Sequence, residues 1–233
     1  MTRKAIIIAV GEPKPSSKAH LDTDLWHSFL SSTLGGAWEV NEIIRVLGDR
    51  REPVLDAVGD AKGADYSLVV FIGPGEVVKR ELPWAEGEVQ LSDKQTLSER
   101  ELNPGSPYCT IVLDCVQSLE AAQAIDGGND NRNETTEALA RSRDLFLKRL
   151  REAESGLVKI YAMNSGGSTA AQPSLSTRLI RAATQWARTN KGALLLPDAV
   201  AAVKEHIDNP ILRDTLKYNG GRRLRHFPLA ISI

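Results

Sequence analysis

The sequence has few of the residues that carry catalytic or cross-linking chemistry: its 233 residues include two cysteines and four histidines. Cys109 and Cys115 lie on one predicted strand, roughly 20 Å apart when extended, which is too far for a disulfide. Both are expected to be free thiols, which favours a reducing, cytoplasmic setting. Two cysteines and four scattered histidines lack metal-ligand spacing, so we expect no metal and no other cofactor.

The sequence also lacks an excess of charge of one sign and any long apolar run. Its net charge is -1, which provides no general attraction to nucleic acid or to an anionic membrane. The longest apolar runs, such as Ala5 to Val10, have the length of a strand and are too short to cross a bilayer. The first residues enter a predicted strand without the apolar stretch of a signal peptide. We therefore expect neither nucleic acid nor a membrane as partner.

What is present is a regular alternation of strands and helices, in a chain that is 42% hydrophobic. Buried strands are predicted at 4–10, 38–47, 67–72, 109–113 and 158–163, with a short last strand at 227–231. Helices are predicted at 22–34, 52–62, 137–154, 175–189 and 197–207, and residues 75–105 are predicted to form a hairpin and a short helix. This alternation predicts an α/β fold with a mostly parallel sheet. No repeat or linker divides the chain, so residues 1–233 are predicted to form a single domain.

Five segments occur in an order and spacing that are more specific than any one of them alone. They are Lys4 to Gly11, Ala64 to Phe71, Thr110 to Asp114, Val158 to Ala171 and Arg223 to Ile231. Together they resemble the caspase-like cysteine peptidases, which include caspases and metacaspases (clan CD, peptidase C14 type). The resemblance implies a caspase-like sheet of about six mostly parallel strands with helices on both faces and an antiparallel last edge strand. It also implies a large-subunit-like half (1–125), a flexible loop (126–136) and a small-subunit-like half (137–233).

The third strand departs from the family where its catalytic histidine belongs. In the family this strand ends in a Ser-Gly-His-Gly-like motif, and here it ends in Gly73-Pro74-Gly75. Pro74 matches the histidine, and proline has no group that can take a proton from a thiol. A turn of glycines after a strand can also hold a phosphate, but the spacing of a phosphate loop is absent and Pro74 lacks an N–H group. A plain strand-ending turn is the favoured alternative.

The sequence also departs from the family's pattern at the position of the catalytic nucleophile. When Asp114 is aligned with the family's aspartate, Val116 occupies the position of the catalytic cysteine and Cys115 lies one residue early. Successive side chains of a strand point to opposite faces, so this shift directs the thiol away from the site. A one-residue change in the loop would restore Cys115 as the fallback nucleophile. None of the four histidines is positioned as its base.

Three further features of the sequence have two interpretations each. In metacaspase-type relatives an acidic residue at Asp114 helps to receive a basic substrate side chain, whereas an aspartate at a strand end can simply cap the loop. Ser165 and Gly166 open a turn that helps to build the substrate groove in the family, and a nucleophilic serine there would lack the usual flanking glycines. A basic cluster (Arg222, Arg223, Arg225 and His226) is predicted to be a solvated face or a contact for an acidic partner.

The two departures favour a catalytically inactive, bacterial caspase-like domain, a pseudoprotease that binds, scaffolds or regulates. By fold analogy its setting is antiviral defence or cell death, and its partner is a protein or peptide such as another subunit of a defence complex. The alternative is an active caspase-like cysteine endopeptidase with a displaced dyad that uses Cys115. A small-ligand sensor is disfavoured because the sequence has no phosphate loop.

Overall fold

The computed structural model describes residues 1–11, 18–78, 86–92, 95–115, 134–163, 174–205, 217–219 and 226–233. In chain order the strands are β1 (Arg3–Ala9), β2 (Ile43–Leu47), β3 (Tyr66–Ile72), β4 (Gly75–Val78), β5 (Glu86–Ser92), β6 (Gln95–Ser98), β7 (Tyr108–Cys115), β8 (Gly156–Met163), β9 (Gly192–Leu195), β10 (Lys217–Asn219) and β11 (Pro228–Ser232). The helices are α1 (Lys18–Ser31), α2 (Arg51–Asp60), α3 (Thr136–Glu152), α4 (Leu175–Ala187) and α5 (Leu196–Glu205), with a short 3-10 helix at Val40–Glu42 before β2. None of these helices is both long and apolar enough to cross a membrane.

A six-stranded sheet in the order β10-β8-β7-β3-β1-β2 forms the centre of the molecule. The pairs β1–β2, β1–β3, β3–β7 and β7–β8 are parallel, and β10 pairs antiparallel with β8. The predicted α/β class with a mostly parallel sheet is thereby confirmed. The central strands are apolar along their whole length because both faces of a parallel sheet are covered, and all seven residues of β3 are buried.

The sheet separates two apolar clusters. One face packs against α1, α3, α4, α5, β9 and β11, and the other packs against α2, β5 and β6. Side chains alternate between the two clusters along each strand, so Ile7 belongs to the first cluster and Ile8 to the second. Helices therefore lie on both faces, as predicted.

Two small sheets lie beside the central sheet. β4, β5 and β6 form an antiparallel sheet within residues 75–105, which confirms the hairpin predicted there and extends it by a third strand. The predicted last strand does form as β11, but it pairs antiparallel with β9 outside the central sheet. The antiparallel edge of the central sheet is instead β10, Lys217–Asn219. The apolar pattern of residues 227–231 reports burial, and burial does not identify the pairing partner.

Candidate functional site

Four of the predicted site residues, Gly73, Pro74, Gly75 and Asp114, lie together at the carboxyl ends of β3 and β7. Ile72 pairs with Asp114, and the Gly73 N–H donates to the Asp114 carbonyl oxygen at 3.2 Å. The Pro74 carbonyl oxygen then accepts a hydrogen bond from the Gln90 N–H at 2.9 Å. Gly75 begins β4, so the predicted turn leads from the central sheet directly into the three-stranded sheet.

Gly73 is required by a close approach of β1. A Cβ atom at Gly73 would lie 2.9 Å from the Cβ atom of Val10 and 3.1 Å from a ring carbon of Phe71. The glycine thus allows neighbouring strand ends to pack closely. Its N–H is already bonded to Asp114, so this turn offers few free donors to an anion.

Asp114 binds the beginning of helix α4. Its carboxylate is 2% exposed, and it accepts hydrogen bonds from Leu175 N (3.1 Å, Oδ1) and Ser176 N (2.8 Å, Oδ2). A negative charge is stabilised at a helix N-terminus by the unpaired N–H groups and by the helix dipole. Ser174 completes the cap, because its Oγ accepts from Thr177 N at 3.1 Å.

This arrangement differs from both interpretations of Asp114 made from the sequence. The carboxylate caps a helix that begins 61 residues later in the chain, rather than the loop that follows its own strand. With both oxygens bonded to the helix and the side chain buried, Asp114 presents no free oxygen to a basic side chain among the described residues. Ser174 before an apolar helix was a visible signal for the cap, but nothing local marked Asp114 as its partner.

Cys115 lies on the opposite face of β7 from Asp114. It packs in the second apolar cluster with Ile111 and Leu113, and it is 2% exposed. Burial, followed by the negative charge of Asp114, raises the pKa of the Cys115 thiol far above its ordinary value. Burial likewise raises the pKa of Cys109 to about 12. Both thiols are free and neutral at physiological pH.

The other predicted positions lie outside the described residues. These are Val116 at the aligned nucleophile position, Ser165 and Gly166 in the groove turn, and Arg222, Arg223 and Arg225 in the basic cluster. Most of the loop predicted at 126–136 lies outside them too. Of the histidines, His20 and His27 lie on α1 and His226 precedes β11.

Sequence reasoning did not find a cavity at the carboxyl ends of β1 and β2. Its volume is about 570 Å³, and exposed Asp49 and Arg50 contribute to its wall. The apolar residues that line it are Val10, Val46, Leu47, Pro53 and Leu91. Carboxyl ends of parallel strands are where α/β folds bind ligands. The lining comes from four separate elements, so no sequence motif marks this cavity.

Neither protein-family models nor curated protein sequences match the chain. Among solved structures, it is similar to protein GSU0716 from Geobacter sulfurreducens, with 12% identity over 98% of this chain and 99% of that one, and a TM-score of 0.50. It is also similar to the Drosophila initiator caspase Dronc (11% identity, 97% and 80% coverage, TM-score 0.49) and to caspase-1 from Spodoptera frugiperda (12%, 99% and 86%, TM-score 0.44). At these identities the likeness concerns the fold alone.

Proposed function

We propose that this chain is a catalytically inactive caspase-like domain that acts by binding a protein or peptide. One observation carries the proposal: the only cysteine near the aligned nucleophile position, Cys115, is buried on the face of β7 that Asp114 does not share. The nucleophile of a cysteine peptidase is the thiolate. A thiol with a strongly raised pKa in an apolar cluster supplies almost none.

The base position supports the same proposal. Pro74 follows β3 where the resemblance expects a histidine, and proline has no proton acceptor on its side chain. Within the described part of the chain, burial and Asp114 raise the pKa of Cys115, and no histidine contributes to the shift. Loss of a general base typically costs about 10²–10⁴-fold in rate, in addition to the loss of the thiolate.

A binding role is supported by what the strand ends retain. Five parallel strands and an antiparallel edge strand agree with the architecture that the resemblance implies. The edge at Gly73, Pro74 and Gly75 remains formed, and α/β folds use this edge for ligands. The setting that we propose, a bacterial defence or cell-death system in which this domain regulates or scaffolds another subunit, comes from the resemblance alone.

A peptidase assay tests the absence of catalysis. The full chain is incubated with a mixed-sequence peptide library and by itself, and cleavage is followed by mass spectrometry. We expect no turnover above the buffer control. Turnover that is lost in Cys115→Ala and kept in the matched control Cys109→Ala would overturn the proposal and support an endopeptidase that uses Cys115.

A gain-of-function experiment tests the caspase-like assignment. Pro74→His combined with Val116→Cys places a histidine and a cysteine at the two aligned positions. We expect this double variant to cleave peptides, because the resemblance implies that a histidine and a cysteine at these two positions act together as base and nucleophile. Pro74→His alone is the matched control and is expected to stay inactive, since Cys115 faces the other cluster. Activity of the control would show that Cys115 reaches the site, and inactivity of a folded double variant would contradict the alignment.

A further inference from the structure

The outer sides of helices α2 and α4 carry charges of opposite sign. α2 exposes Glu52, Asp56 and Asp60, which are spaced four residues apart and therefore follow one side of the helix, its acidic side. α4 exposes Arg181 and, at its C-cap, Arg188, and it contains no acidic residue. The two helices pack on opposite faces of the central sheet, so these two sets of charges do not meet within one chain.

The acidic side of α2 is not neutralised by its neighbours. Among the described residues, none of its three carboxylates has an ion pair, and the one cation of the helix, Arg51, is bound to Glu101. Like charges four residues apart destabilise a helix. Asp60 is also the last residue of α2, where the helix dipole disfavours a negative charge. The stability of the helix itself therefore does not explain this arrangement.

The basic side of α4 consists of Arg178, Arg181 and Arg188. Positions 155–197 contain no Asp or Glu, although the chain has 30 acidic residues, so no acid near in sequence offsets these cations. Neither Arg181 nor Arg188 has an ion pair in the part of the chain that the structure describes. The helix dipole favours Arg188 at the C-terminal end, but it disfavours Arg178 in the first turns.

Helix α3 shows a different way to expose charge to solvent. On its exposed side Arg141 follows Glu137 by four positions. Lys148 follows Asp144 at the same distance. This spacing, with the acid first, favours ion pairs within a helix. α2 and α4 lack such a mixture, and each keeps one sign on its outer side.

The acidic side and the basic side also agree in size. At 1.5 Å per residue, the three carboxylates of α2 extend over about 12 Å of helix axis, and the two exposed guanidinium groups of α4 extend over about 10 Å. Gly59 lies seven residues after Glu52 on the exposed side of α2, and a Cβ atom there would meet nothing within 4 Å. Because this position has no side chain, the backbone of another helix can approach it closely.

A second copy of this chain matches both charged sides at once. A nucleic acid or an anionic membrane would cover the basic side alone, and the net charge of -1 provides no general attraction to either. The acidic side would then stay unmatched.

We propose that copies of this chain associate head to tail, with the acidic side of α2 in one copy against the basic side of α4 in the next. Two different surfaces meet in such a contact, so the assembly continues as a ring or a filament. Single exposed ion pairs contribute little, so the association is weak and needs the whole set of charges. It goes beyond the proposed function, because it uses neither Cys115 nor the strand-end edge.

Sedimentation velocity of the full chain over a concentration series tests the association. We expect the average mass to rise with concentration at low ionic strength and to stay that of a monomer in high salt, which screens exposed charges. Arg181→Glu with Arg188→Glu makes both sides acidic, and Asp56→Lys with Asp60→Lys makes both sides basic. Each double variant should associate at least about tenfold more weakly than the wild type, because like charges then face each other.

An equal mixture of the two double variants restores the match of acidic against basic sides. The mixture should associate as the wild type does, although neither variant does so alone, and this rescue shows that both variants are folded. Arg141→Glu with Lys148→Glu on α3 is the matched control. It has the same spacing and the same change of charge sign, and it should leave the association intact.

Three results would overturn the proposal. They are a wild-type chain that stays monomeric at every concentration, association that survives both double variants, and a mixture that does not associate. Equal loss of association in the α3 control would assign the effect to overall charge rather than to these two helices. Binding of single-stranded RNA by a monomeric chain, lost in Arg181→Glu with Arg188→Glu, would assign the basic side to nucleic acid instead.

Discussion

Asp114 and Cys115 are neighbours in sequence, but their side chains lie in different environments on opposite faces of β7. The Asp114 carboxylate caps α4, whereas the Cys115 thiol is buried among aliphatic side chains. The alternation of a strand was enough to predict that the two would face opposite ways. The use of Asp114 as a helix cap was not predictable, because its partners lie 61 and 62 residues away in the chain.

The burial of both thiols predicts slow modification in the folded state. At pH 8 the native chain should react with Ellman's reagent at least about tenfold more slowly than the urea-unfolded chain, because raised pKa values leave little thiolate. The unfolded chain should release two equivalents, which is the control. Fast reaction of one thiol in native Cys109→Ser would show that Cys115 is accessible after all.

The contact at Gly73 predicts opposite effects for two glycine substitutions. Gly73→Ala should lower the free energy of unfolding by about 1–3 kcal/mol, because its Cβ would lie 2.9 Å from Val10. Gly59→Ala, at an exposed position near the end of α2 where a Cβ atom meets nothing within 4 Å, should raise it by about 0.5–1 kcal/mol. Urea unfolding measures both. Equal effects would mean that the strand ends adjust without cost.

At the scale of elements, strands predicted from apolar runs formed, whereas elements with short or polar sequences were missed. β1, β3, β7 and β8 were predicted within three residues at each end because burial on both faces demands continuous apolar sequence. β10 has only three residues and β9 only four, which is too short for a periodic pattern. Pairing in the two small sheets depends on long-range neighbours that a local pattern does not contain.

The cap on α4 predicts that removal of the Asp114 carboxylate greatly lowers the free energy of unfolding. Asp114→Ala should lower the free energy of unfolding by about 2–4 kcal/mol, because two buried N–H groups lose their acceptor. Asp114→Asn keeps one acceptor oxygen and should cost less. Urea unfolding with far-UV circular dichroism provides the measurement. A change below about 0.5 kcal/mol for the alanine variant would show that the cap is dispensable.

At the scale of the whole molecule, a buried ionic cluster joins the beginning of β1 to the 3-10 helix and to α3. Arg3 is 2% exposed, binds Glu42 at 3.2 Å and lies 4.3 Å from the ring centre of Trp38. Arg143 of α3 also binds Glu42, at 2.6 Å. Burial lowers the pKa of Arg3 to about 10 although Glu42 favours its charged form. These charged groups thus link β1, the 3-10 helix and α3 at the amino-terminal ends of the parallel strands, opposite to the candidate site.

Substitution of Glu42 is therefore expected to lower the free energy of unfolding more than substitution at most other polar positions. Glu42→Gln should cost about 3–5 kcal/mol, because Arg3 would stay buried without its counter-charge. Glu152→Gln, which breaks the exposed Arg149–Glu152 pair, is the matched control and should cost at most about 1 kcal/mol. Similar costs for the two variants in urea unfolding would show that burial adds nothing to the Arg3–Glu42 pair.

The same carboxylate predicts a pH dependence. Burial would raise the pKa of Glu42, but hydrogen bonds from Arg143 and the Glu39 backbone, together with the charge of Arg3, lower it below 4.5. A lowered pKa contributes stability that is present above the unfolded value and is lost as the pH falls through the folded value. The difference between wild type and Glu42→Gln should accordingly shrink below pH 4.5. A constant difference down to pH 3 would contradict the assigned shift.

β11 also lies far in sequence from the part of the core that it completes. Its Ile231 N–H donates to the Leu34 carbonyl oxygen at 2.7 Å, and Phe227, Leu229 and Ala230 are buried in the first cluster, to which α1 also contributes. During synthesis on the ribosome, the nascent chain holds β1, α1 and β3 long before these residues emerge. The apolar face of the sheet that β11 helps to cover therefore stays partly exposed throughout elongation. Exposed apolar surface of this kind is what chaperones bind.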